Sequence, residues 1–554
     1  MSEVICQISG DTFRVSDFEK SMRAKFGFSE TLPSIKPLYR FRELGAFWPH
    51  WNLHPRSCDR TGQNIISIFR PDCSYPVWHR DEWVKHADPP SRDCDFSRNF
   101  FEQAWEMFQK SPLPHNFQSH NENSEYADDF YHSKNCYLCH SCNTLEDCRY
   151  CYLGTKSKDV QFCIYSQQCE LGSDIVHCRD CFDVRYVLYC RNVQASSFLY
   201  DCRRCSDCMF CFNLRDKQYC FANQQLTKDE YEKKKSQWNL RSRNAFEKAK
   251  QWFREMMVSH AWHRALFIDH SENVTGNYLT NCKDCEDCFI SPNHEECVHD
   301  FTSGPHTKST LDSLGTIGSE LLYYTAMVVY SYGCRFSFEL NECKRCDYCC
   351  YCFFCQDCFG CCGLYKKRFC IFNKQYSEAE YYTLMAKIVD HMKKTGEWGK
   401  FFPGYFAPNP YDESCSGFHF PLSLDQQKKL GFRAEGRIER KAKSMFSIQD
   451  IPDAVDGMTT PAEVFFSQKA FWDEDYERPF QITKEDIAMS RKINVPFLYC
   501  YYVKRMQDNF RWMPFTGELR STTCAKSGVA IMTSWPPEYD GRILSEEEYV
   551  KIVL

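Results

Sequence analysis

The chain has 554 residues, which is enough for about three or four domains of ordinary size. It is 43% hydrophobic and 26% charged, a globular composition that excludes a largely disordered protein. Its net charge of -6 arises from interspersed acidic and basic residues, which argues against nucleic acid as a partner. No apolar run reaches the ~20 residues of a membrane span, and the chain does not begin with a signal-peptide pattern. We therefore predict a cytoplasmic protein without a membrane partner.

The two ends of the chain resemble each other. The stretch CDRTGQNIISIFRP from Cys58 is similar to CAKSGVAIMTSWPP from Cys524. Upstream of each, TFRVSDFEKSM is similar to PFQITKEDIAM. We therefore predict related α+β end modules at residues 1–120 and 441–554.

Tryptophans within the end modules are candidate anchors for a protein partner, because tryptophan is enriched at binding hot spots. Core packing is the alternative role for each of them. The candidates are Trp48, Trp51 and Trp535.

Two cysteine-rich blocks lie between the end modules. Of the 37 cysteines, fifteen fall in residues 136–220 and fifteen in residues 282–370. Adding 150 to the number of Cys202 gives Cys352, and the same shift carries the next three cysteines of the first block onto cysteines of the second. This register predicts an internal duplication. The repeats are predicted at residues 121–271 and 272–440.

Each block consists of short segments that recur near every twelve residues, with strand-forming residues alternating with turn residues. Segments this short bury no face alone, so stacked copies are expected to form a β-solenoid with a column of small inward side chains. Thr227 with Glu230, and Ser377 with Glu380, fit capping boxes at which helices begin. The first helix is predicted at about 228–264. The predicted fold class is mainly β with helical inserts, a duplicated cysteine-rich solenoid between two end modules.

Three interpretations of the thiols follow from the sequence. Cysteine is small and often buried, so the thiols are first of all expected to fill the core of a thin solenoid in reduced form. The C-x2-C spacing is also half of a zinc site, and thiolates select soft metals. Disulfides would require an oxidising compartment, which nothing in the sequence indicates. The candidate metal ligands are Cys202, Cys205, Cys208, Cys211, Cys352, Cys355, Cys358 and Cys361, with an irregular set of His294, Cys297 and His299.

Several long stretches are similar to a known family. They include CDFSRNFFEQAWEM at 94–107, NENSEYADDFYHSKNCYLC at 121–139 and FFPGYFAPNPYDESCSGFHFPLS at 401–423. The chain resembles a family of uncharacterised cysteine-rich proteins predicted widely in candidate-phyla bacteria. In that family the end modules look like zinc ribbons, so the resemblance suggests zinc as a cofactor.

This sequence departs from the zinc-ribbon pattern, because few of the paired ligand positions hold cysteine. The pairs at these positions are Cys6 with Ser9, Lys36 with Tyr39, His79 with Glu82, and Tyr499 with Tyr502. A structural zinc site needs four ligands. We therefore expect degenerate zinc-ribbon-like modules that keep their shape through apolar contacts.

The familiar catalytic motifs for phosphate binding, dinucleotide binding and the nucleophile elbow do not occur in the sequence. We therefore predict a non-enzymatic structural scaffold or interaction protein, with a protein partner or self-assembly. A protein that stores or buffers soft metal on its cysteines is the alternative. A thiol- or metal-dependent enzyme with a site where the repeats meet is a third interpretation.

Overall fold

The structure is a computed structural model that divides into two compact units. Unit 1 contains Met1–Asn116, Leu266–Gly436 and Thr516–Leu519, and unit 2 contains Phe117–Ala265, Arg437–Phe515 and Arg520–Leu554. Each unit therefore combines one cysteine-rich repeat with the end module that is more distant in sequence. The structure describes residues 2–49, 52–164, 175–176, 185–188, 191–436, 441–442, 444–454, 458–512, 514 and 517–554.

Both repeats form parallel β-solenoids with twelve residues per turn. Cys139 pairs with Ala127 in the first repeat, and Cys350 pairs with Phe338 in the second, each twelve residues on. The solenoid strands of unit 2 are Gln118–Ser119, Ala127–Tyr131, Cys139–Glu146, Thr155–Lys158, Cys163–Ile164, Ile175–Val176, Arg185–Leu188, Arg191–Gln194, Ser197–Tyr200, Arg203–Phe212, Gln218–Phe221 and Gln224–Gln225. Those of unit 1 are Ile268–Asp269, Glu272–Thr280, Lys283–Pro292, Val298–Phe301, Lys308–Leu314, Glu320–Val329, Phe338–Asn341, Lys344–Asp347, Cys350–Phe353, Gln356–Phe359, Arg368–Ile371 and Lys374–Gln375.

A three-residue unit generates each side of the coil. One residue has left-handed backbone geometry, the next points inward, and the third points outward. The non-glycine left-handed residues of both solenoids have φ between 44° and 66°, as in Asp201, Arg204 and Asp207. Asp and Asn are enriched at such positions because their short polar side chains tolerate this conformation. Four such units close one turn, which explains both the C-x2-C spacing and the twelve-residue period.

The inward thiols hydrogen-bond to the backbone of the coil. Cys343 Sγ lies 3.5 Å from the carbonyl oxygen two residues earlier and 3.2 Å from that of Cys352, nine residues later. The hydroxyl of inward-facing Ser337 uses the same pattern and accepts a bond from Cys349 N at 3.1 Å. Small side chains with one donor therefore suit the inward positions. The predicted inward packing is confirmed for the cysteines in the interior clusters of the two solenoids, whereas Cys350 and Cys362 are buried at outward positions.

Part of the unit 1 interior is polar, which the sequence analysis did not predict. His294 Nδ1 lies 3.0 Å from Asp300 Oδ2, and the Ser303 hydroxyl donates to Asp300 Oδ1 at 2.5 Å. His294 Nε2 lies 2.8 Å from the carbonyl oxygen of Gly304, and Ser313 donates to Asp300 at 3.2 Å. The close approach of His294 and Asp300 and the hydrogen bonds from the two serines offset the burial of these groups, which allows polar residues to replace thiols inside the coil.

The two solenoids end in the same way. Asn223 donates to and accepts from the backbone of Phe212, and Asn373 does the same with Cys362, at positions 150 residues apart. Each capping box then starts a helix, as predicted. The predicted single helix at 228–264 is wrong in its extent, because the chain turns after the first helix and Ser242 caps a second one. The helices that follow the solenoids are Lys228–Lys235 and Arg243–Ser259 in unit 2, and Glu378–Thr395, Cys415–His419 and Leu424–Lys429 in unit 1.

The two end modules share a run of eight elements in the order strand, strand, helix, helix, strand, strand, strand, helix, which confirms their predicted α+β class. Their second hairpins begin at 54 and 520, 466 residues apart. The N-terminal module has strands Ser2–Ile5, Thr12–Val15, His54–Ser57, Asn64–Ser67, Val77–Trp78 and Leu113–Pro114, and helices Asp17–Lys25, Pro37–Ala46, Arg80–His86 and Phe100–Lys110. The C-terminal module has strands Phe446–Ser447, Phe471–Asp473, Arg478–Phe480, Arg520–Thr523, Ala530–Thr533 and Ile543–Leu544, and helices Ala462–Phe466, Lys484–Ile493, Tyr502–Phe510 and Glu546–Val553. The remaining 3-10 turns are Gly404–Phe406, Tyr411–Glu413, Ile448–Asp450 and Pro537–Arg542.

The interpretation of tryptophans as partner anchors is wrong for two of the three candidates. Trp48 and Trp535 are each only 2% exposed, and the Trp535 ring nitrogen donates to the carbonyl oxygen of Arg264 at 2.9 Å. They are core residues because their end modules pack against the rest of each unit. Trp51 lies outside the described residues.

Candidate functional site

In unit 1, a buried network of charged side chains joins the N-terminal module to the solenoid. Arg40, on helix Pro37–Ala46, donates to both carboxylate oxygens of Asp312 on the solenoid. Its Nη1 also lies 3.4 Å from Glu19 Oε1, and His299 Nδ1 lies 3.2 Å from Asp312 Oδ1. All four side chains are at most 3% exposed. When His299 is protonated, the charges of the network balance: Arg40 and His299 are positive, and Glu19 and Asp312 are negative.

The electrostatics of this network favour the charged forms. Burial opposes ionisation of Asp312, but Arg40 outweighs it and holds the pKa of Asp312 at about 2. Burial likewise opposes protonation of His299, but Glu19 and Asp312 outweigh it and raise the pKa of His299. Buried charges that are paired in this way are costly to separate. The network therefore fixes how the N-terminal module sits on its solenoid.

Unit 2 contains a related network. Asp486 stands three residues after the helix cap Thr483, as Glu19 does after Ser16, but Arg149 and His299 are not equivalent solenoid positions, because His299 has left-handed backbone geometry and Arg149 does not. Arg149 Nε lies 3.0 Å from Asp486 Oδ1, and the Tyr150 hydroxyl donates to the same carboxylate at 3.0 Å. An acidic residue in the first turn of the module's helix thus meets a basic solenoid residue in both units.

Glu43 is a second buried acid beside the unit 1 network. The Tyr324 hydroxyl donates to its carboxylate. Burial raises the pKa of Glu43 to about 7, against the effect of this hydrogen bond. Because the pKa of the folded state is raised, the stabilisation is fully present below the unfolded value of about 4.5 and is lost as the pH rises through about 7.

We therefore expect Glu43→Gln to raise the melting temperature at about pH 8 and to change it little at about pH 5. The amide is neutral at every pH and still accepts from Tyr324. Thermal unfolding measured across this pH range checks the prediction, with the exposed Glu30→Gln as the matched control. A melting temperature that falls equally at both pH values would contradict it.

Each end module also contains two tight hairpin turns built around one buried acidic group or thiol. In the turn at Cys58, the amide of Gly62 donates to the Cys58 carbonyl oxygen at 2.8 Å, and the amide of His79 donates to Cys58 Sγ at 3.2 Å. Cys6 accepts from Lys36 N at 3.5 Å, and Cys524 accepts from Ser545 N at 3.3 Å. We call these turns the knuckle turns. Glycines 10, 62 and 528 have φ between 70° and 78°, which the sharp chain reversal requires.

The fourth knuckle turn carries a carboxylate in place of a thiol. Asp473 Oδ1 accepts from the amides of Asp475 and Tyr476 at 3.0 Å each, and its Oδ2 accepts from Tyr501 N at 2.7 Å. Tyr501 therefore stands where Lys36 stands in the first module, rather than Tyr499 as the sequence pattern suggested. Glu477 takes the place of glycine, with a φ of 56°.

The environment of the knuckle thiols favours the thiolate. Burial opposes ionisation of Cys524, but hydrogen bonds from Ser527, Ser545 and Lys526 outweigh it and lower its pKa to about 6. The pKa values of Cys6 and Cys58 are lowered for the same reason. At each turn, backbone N–H groups thus point their partial positive charges at one anionic side chain and stabilise it.

These turns do not fit a four-ligand zinc site. Ser9, Thr61, Tyr476 and Ser527 stand at the second ligand position of the four knuckle turns. Among the described residues, no group of three or more His, Cys, Asp or Glu is arranged to hold a metal ion. The hydrogen bonds to one thiol or carboxylate replace the metal as the organising contact.

The candidate thiol ligands all point into the solenoids. Cys202, Cys205, Cys208 and Cys211 make one circuit of the coil in unit 2. In unit 1 the set beginning at Cys352 makes another circuit, and Cys343, Cys346 and Cys349, which were not among the candidate ligands, continue it over three sides of the preceding turn. The uninterrupted three-residue spacing upstream of Cys352 was the signal for them. Burial raises the pKa of Cys202, Cys352 and Cys361 well above the usual value, which keeps these thiols protonated.

Neighbouring thiols contact each other both around a turn and between turns. Cys349 is close enough to Cys346 and Cys352 on its own circuit, and to Cys361 on the next, for their sulfur atoms to influence one another. Each of these thiols also lies within hydrogen-bond distance of backbone carbonyl oxygens of the coil, as Cys349 does of that of Asp347 at 3.4 Å. The thiols therefore form a continuous sulfur lattice, which we define as the buried cysteines from Cys334 to Cys370 in unit 1.

The irregular set around His294 is not brought together. His294 and Cys297 occupy inward positions, and the Cys297 thiol lies 3.3 Å from the carbonyl oxygen of Glu295. His299 has a left-handed backbone with a φ of 51°, so its ring lies outside the coil against Asp312. A shared metal at these three residues stays a prediction that this arrangement does not favour.

No protein-family model matches the chain, and no curated protein matches it either. Within the part of the chain that the structure describes, no helix combines the length and the apolar character needed to cross a bilayer. The interpretation of function therefore depends on the geometry of the two units.

Proposed function

We propose that the protein is a non-enzymatic scaffold whose two solenoids each hold an end module in a fixed position. One observation carries this proposal: the inward thiols are engaged by backbone carbonyl groups of the coil, as at Cys343. A thiol that donates to the coil is part of its framework, and a buried protonated thiol is a poor nucleophile. The cysteines thus act as structural side chains.

The buried charge networks support the same role. Glu19 and Asp486 connect an end module to a solenoid in equivalent ways, although the local partners differ, with His299 in one unit and Arg149 in the other. A scaffold that holds two end modules requires a contact between module and solenoid in each unit, and both units have one. We further propose that the chain belongs to the cysteine-rich family that it resembles, with end modules that depend on single anions instead of zinc.

Storage of a soft metal is the second candidate, and the sulfur lattice favours it. Four inward thiols make each of the circuits at Cys202 and Cys352, and Cys349 has three further thiols as close neighbours. Thiolates bind Cu(I) and Zn²⁺ strongly. Binding would require the thiols to lose their protons and their hydrogen bonds to the coil.

Elemental analysis and thiol titration of the same purified protein separate the two candidates. For a scaffold, we expect no more than about one metal ion per chain, and titration of the denatured, unreduced protein should recover most of the 37 thiols. Addition of Cu(I) to the folded protein should leave its circular dichroism and melting temperature unchanged.

Several metal ions per chain, released when Cys343, Cys346, Cys349 and Cys352 are changed to serine, would instead establish metal storage. Serine is the suitable replacement because Ser337 already occupies an inward position with the same hydrogen bonds. Recovery of few thiols would reject both candidates and indicate disulfides.

A further inference from the structure

The second solenoid exposes aromatic and basic side chains along one face. Tyr332, Lys344, Gln356 and Arg368 stand in register on successive turns, which rise by about 4.8 Å each. Two residues before these positions lie Tyr330, Glu342, Phe354 and Lys366 in a neighbouring row. We define the aromatic-basic strip as Tyr330, Tyr332, Lys344, Phe354, Lys366 and Arg368.

The aromatic rings of the strip are unusually exposed for a protein of this kind. Tyr330 is 61% exposed, Tyr332 is 42% exposed and Phe354 is 41% exposed. Isolated exposed aromatic residues need no explanation, but three on two adjacent rows of a rigid surface form a platform. Because the backbone of the solenoid fixes their spacing, these rings are held in place before any ligand binds.

The cations of the strip are available to an anionic ligand. Neither Lys344 nor Lys366 has a carboxylate partner among the residues that the structure describes. The ammonium group of Lys366 lies 5.7 Å from the centre of the Phe354 ring and 5.1 Å from that of Tyr365. Arg368 Nε lies 3.5 Å from Asp357 Oδ2 at the margin of the strip. Glu342 is the one acidic residue within the two rows.

At two described positions the first solenoid differs from the strip, although its backbone there is equivalent. Subtracting 150 places Arg204 at the position of Phe354 and Asp216 at that of Lys366. Arg204 Nε and Asp216 Oδ1 form an exposed ion pair at 2.5 Å. At these two positions the first solenoid therefore carries an ion pair, where the second carries an aromatic ring and a lysine that has no carboxylate partner among the described residues. Because both solenoids have the same backbone at these positions, folding of the coil does not require the aromatic ring and the lysine that the second solenoid carries there.

We propose that the aromatic-basic strip binds single-stranded nucleic acid, with bases stacked on Tyr330, Tyr332 and Phe354 and phosphates contacted by Lys344, Lys366 and Arg368. Single-strand binding proteins combine aromatic platforms with cations that follow the backbone, and they need no sequence-specific contacts. This proposal goes beyond the scaffold role and does not depend on it. The net charge of the chain argued against nucleic acid as a partner. The fold, however, places Lys344, Lys366 and Arg368, which are separated in sequence, on one face of the solenoid.

Fluorescence anisotropy with the full-length protein and labelled oligo(dT) and oligo(rU) of about 15 nucleotides tests the proposal. We expect the Tyr330→Ala/Phe354→Ala variant to bind about tenfold or more weakly. Lys344→Ala/Lys366→Ala should weaken binding and reduce the slope of log K against log salt by about 1.4. Glu342→Gln should tighten binding, because it removes the acidic residue beside the bound phosphates. All of these side chains are at the surface, so the variants are expected to fold.

The matched control is Arg204→Ala/Asp216→Ala on the first solenoid, which should leave binding unchanged. Absence of binding to either oligonucleotide, or equal binding by the strip variants and the control, would overturn the proposal. If polyglutamate competes as well as the oligonucleotides and the aromatic variant retains full affinity, the strip recognises charge alone and the proposal also fails. Loss of oligonucleotide binding in the aromatic variant, with polyglutamate a poor competitor, supports it.

Discussion

Replacement of Arg40 by methionine is expected to lower the free energy of unfolding of unit 1 by about 3–5 kcal/mol. The change leaves Asp312 and Glu19 buried without their shared cation, and His299 alone cannot neutralise both carboxylates. Hydrogen exchange measured by mass spectrometry should show faster exchange in the helix Pro37–Ala46 and the strand Lys308–Leu314. Unit 2 should keep its native exchange rates, because its own network contains Asp486 and Arg149 instead.

The pH dependence and a double variant distinguish this explanation from a simple loss of packing. In the native protein Arg40 holds the pKa of Asp312 at about 2, so the stabilisation is present above the unfolded value of about 3.8 and is lost as the pH falls towards 2. The difference between Arg40→Met and the native protein should therefore narrow below about pH 4. Arg40→Met/Asp312→Asn should recover part of the loss at neutral pH. Equal destabilisation at all pH values, with no recovery, would mean that only packing was lost.

The sequence predicted the repeated architecture because the periodicities are strong. The twelve-residue turn, the 150-residue duplication and the capping boxes at Thr227 and Ser377 each depend on residues that are close in sequence. The inward column followed from the spacing of the cysteines alone. Local patterns of this kind determine a solenoid, because every turn contacts only its neighbours.

The contacts between end modules and solenoids were not predictable in the same way. The acidic residues were visible, since Glu19 and Asp486 align in the similar stretches at the two ends of the chain. Their partners His299 and Arg149 could not be predicted, because outward-facing solenoid positions accept many residue types; His299 is at the left-handed position of its three-residue unit and Arg149 is at the third position. The polar interior at His294 and Asp300 was not predicted, because only cysteines were used to trace the inward column, although both residues lie three positions from Cys297 and continue its spacing.

The knuckle turns lead to the second large effect. Replacement of Asp473 by alanine is expected to destabilise unit 2 by about 2–4 kcal/mol, because it leaves the buried amide of Tyr476 and the part-buried amides of Asp475 and Tyr501 without their acceptor. Chemical denaturation followed by circular dichroism measures the loss. Exchange of the backbone amides of Asp475, Tyr476 and Tyr501 should accelerate in any variant that still folds.

Substitution by cysteine provides the decisive control. If a single anion organises each turn, Asp473→Cys should recover most of the stability lost in Asp473→Ala, because Cys6 and Cys58 hold equivalent turns with a thiol. Asp473→Asn should lie between the two, since its amide oxygen accepts hydrogen bonds but carries no charge. The recovery by cysteine should grow as the pH rises through the range in which the thiol ionises, because the thiolate is the better acceptor. Equal stability of the cysteine and alanine variants would contradict this expectation. It would show that a thiol cannot replace the carboxylate of Asp473, and that the four knuckle turns share only their backbone shape.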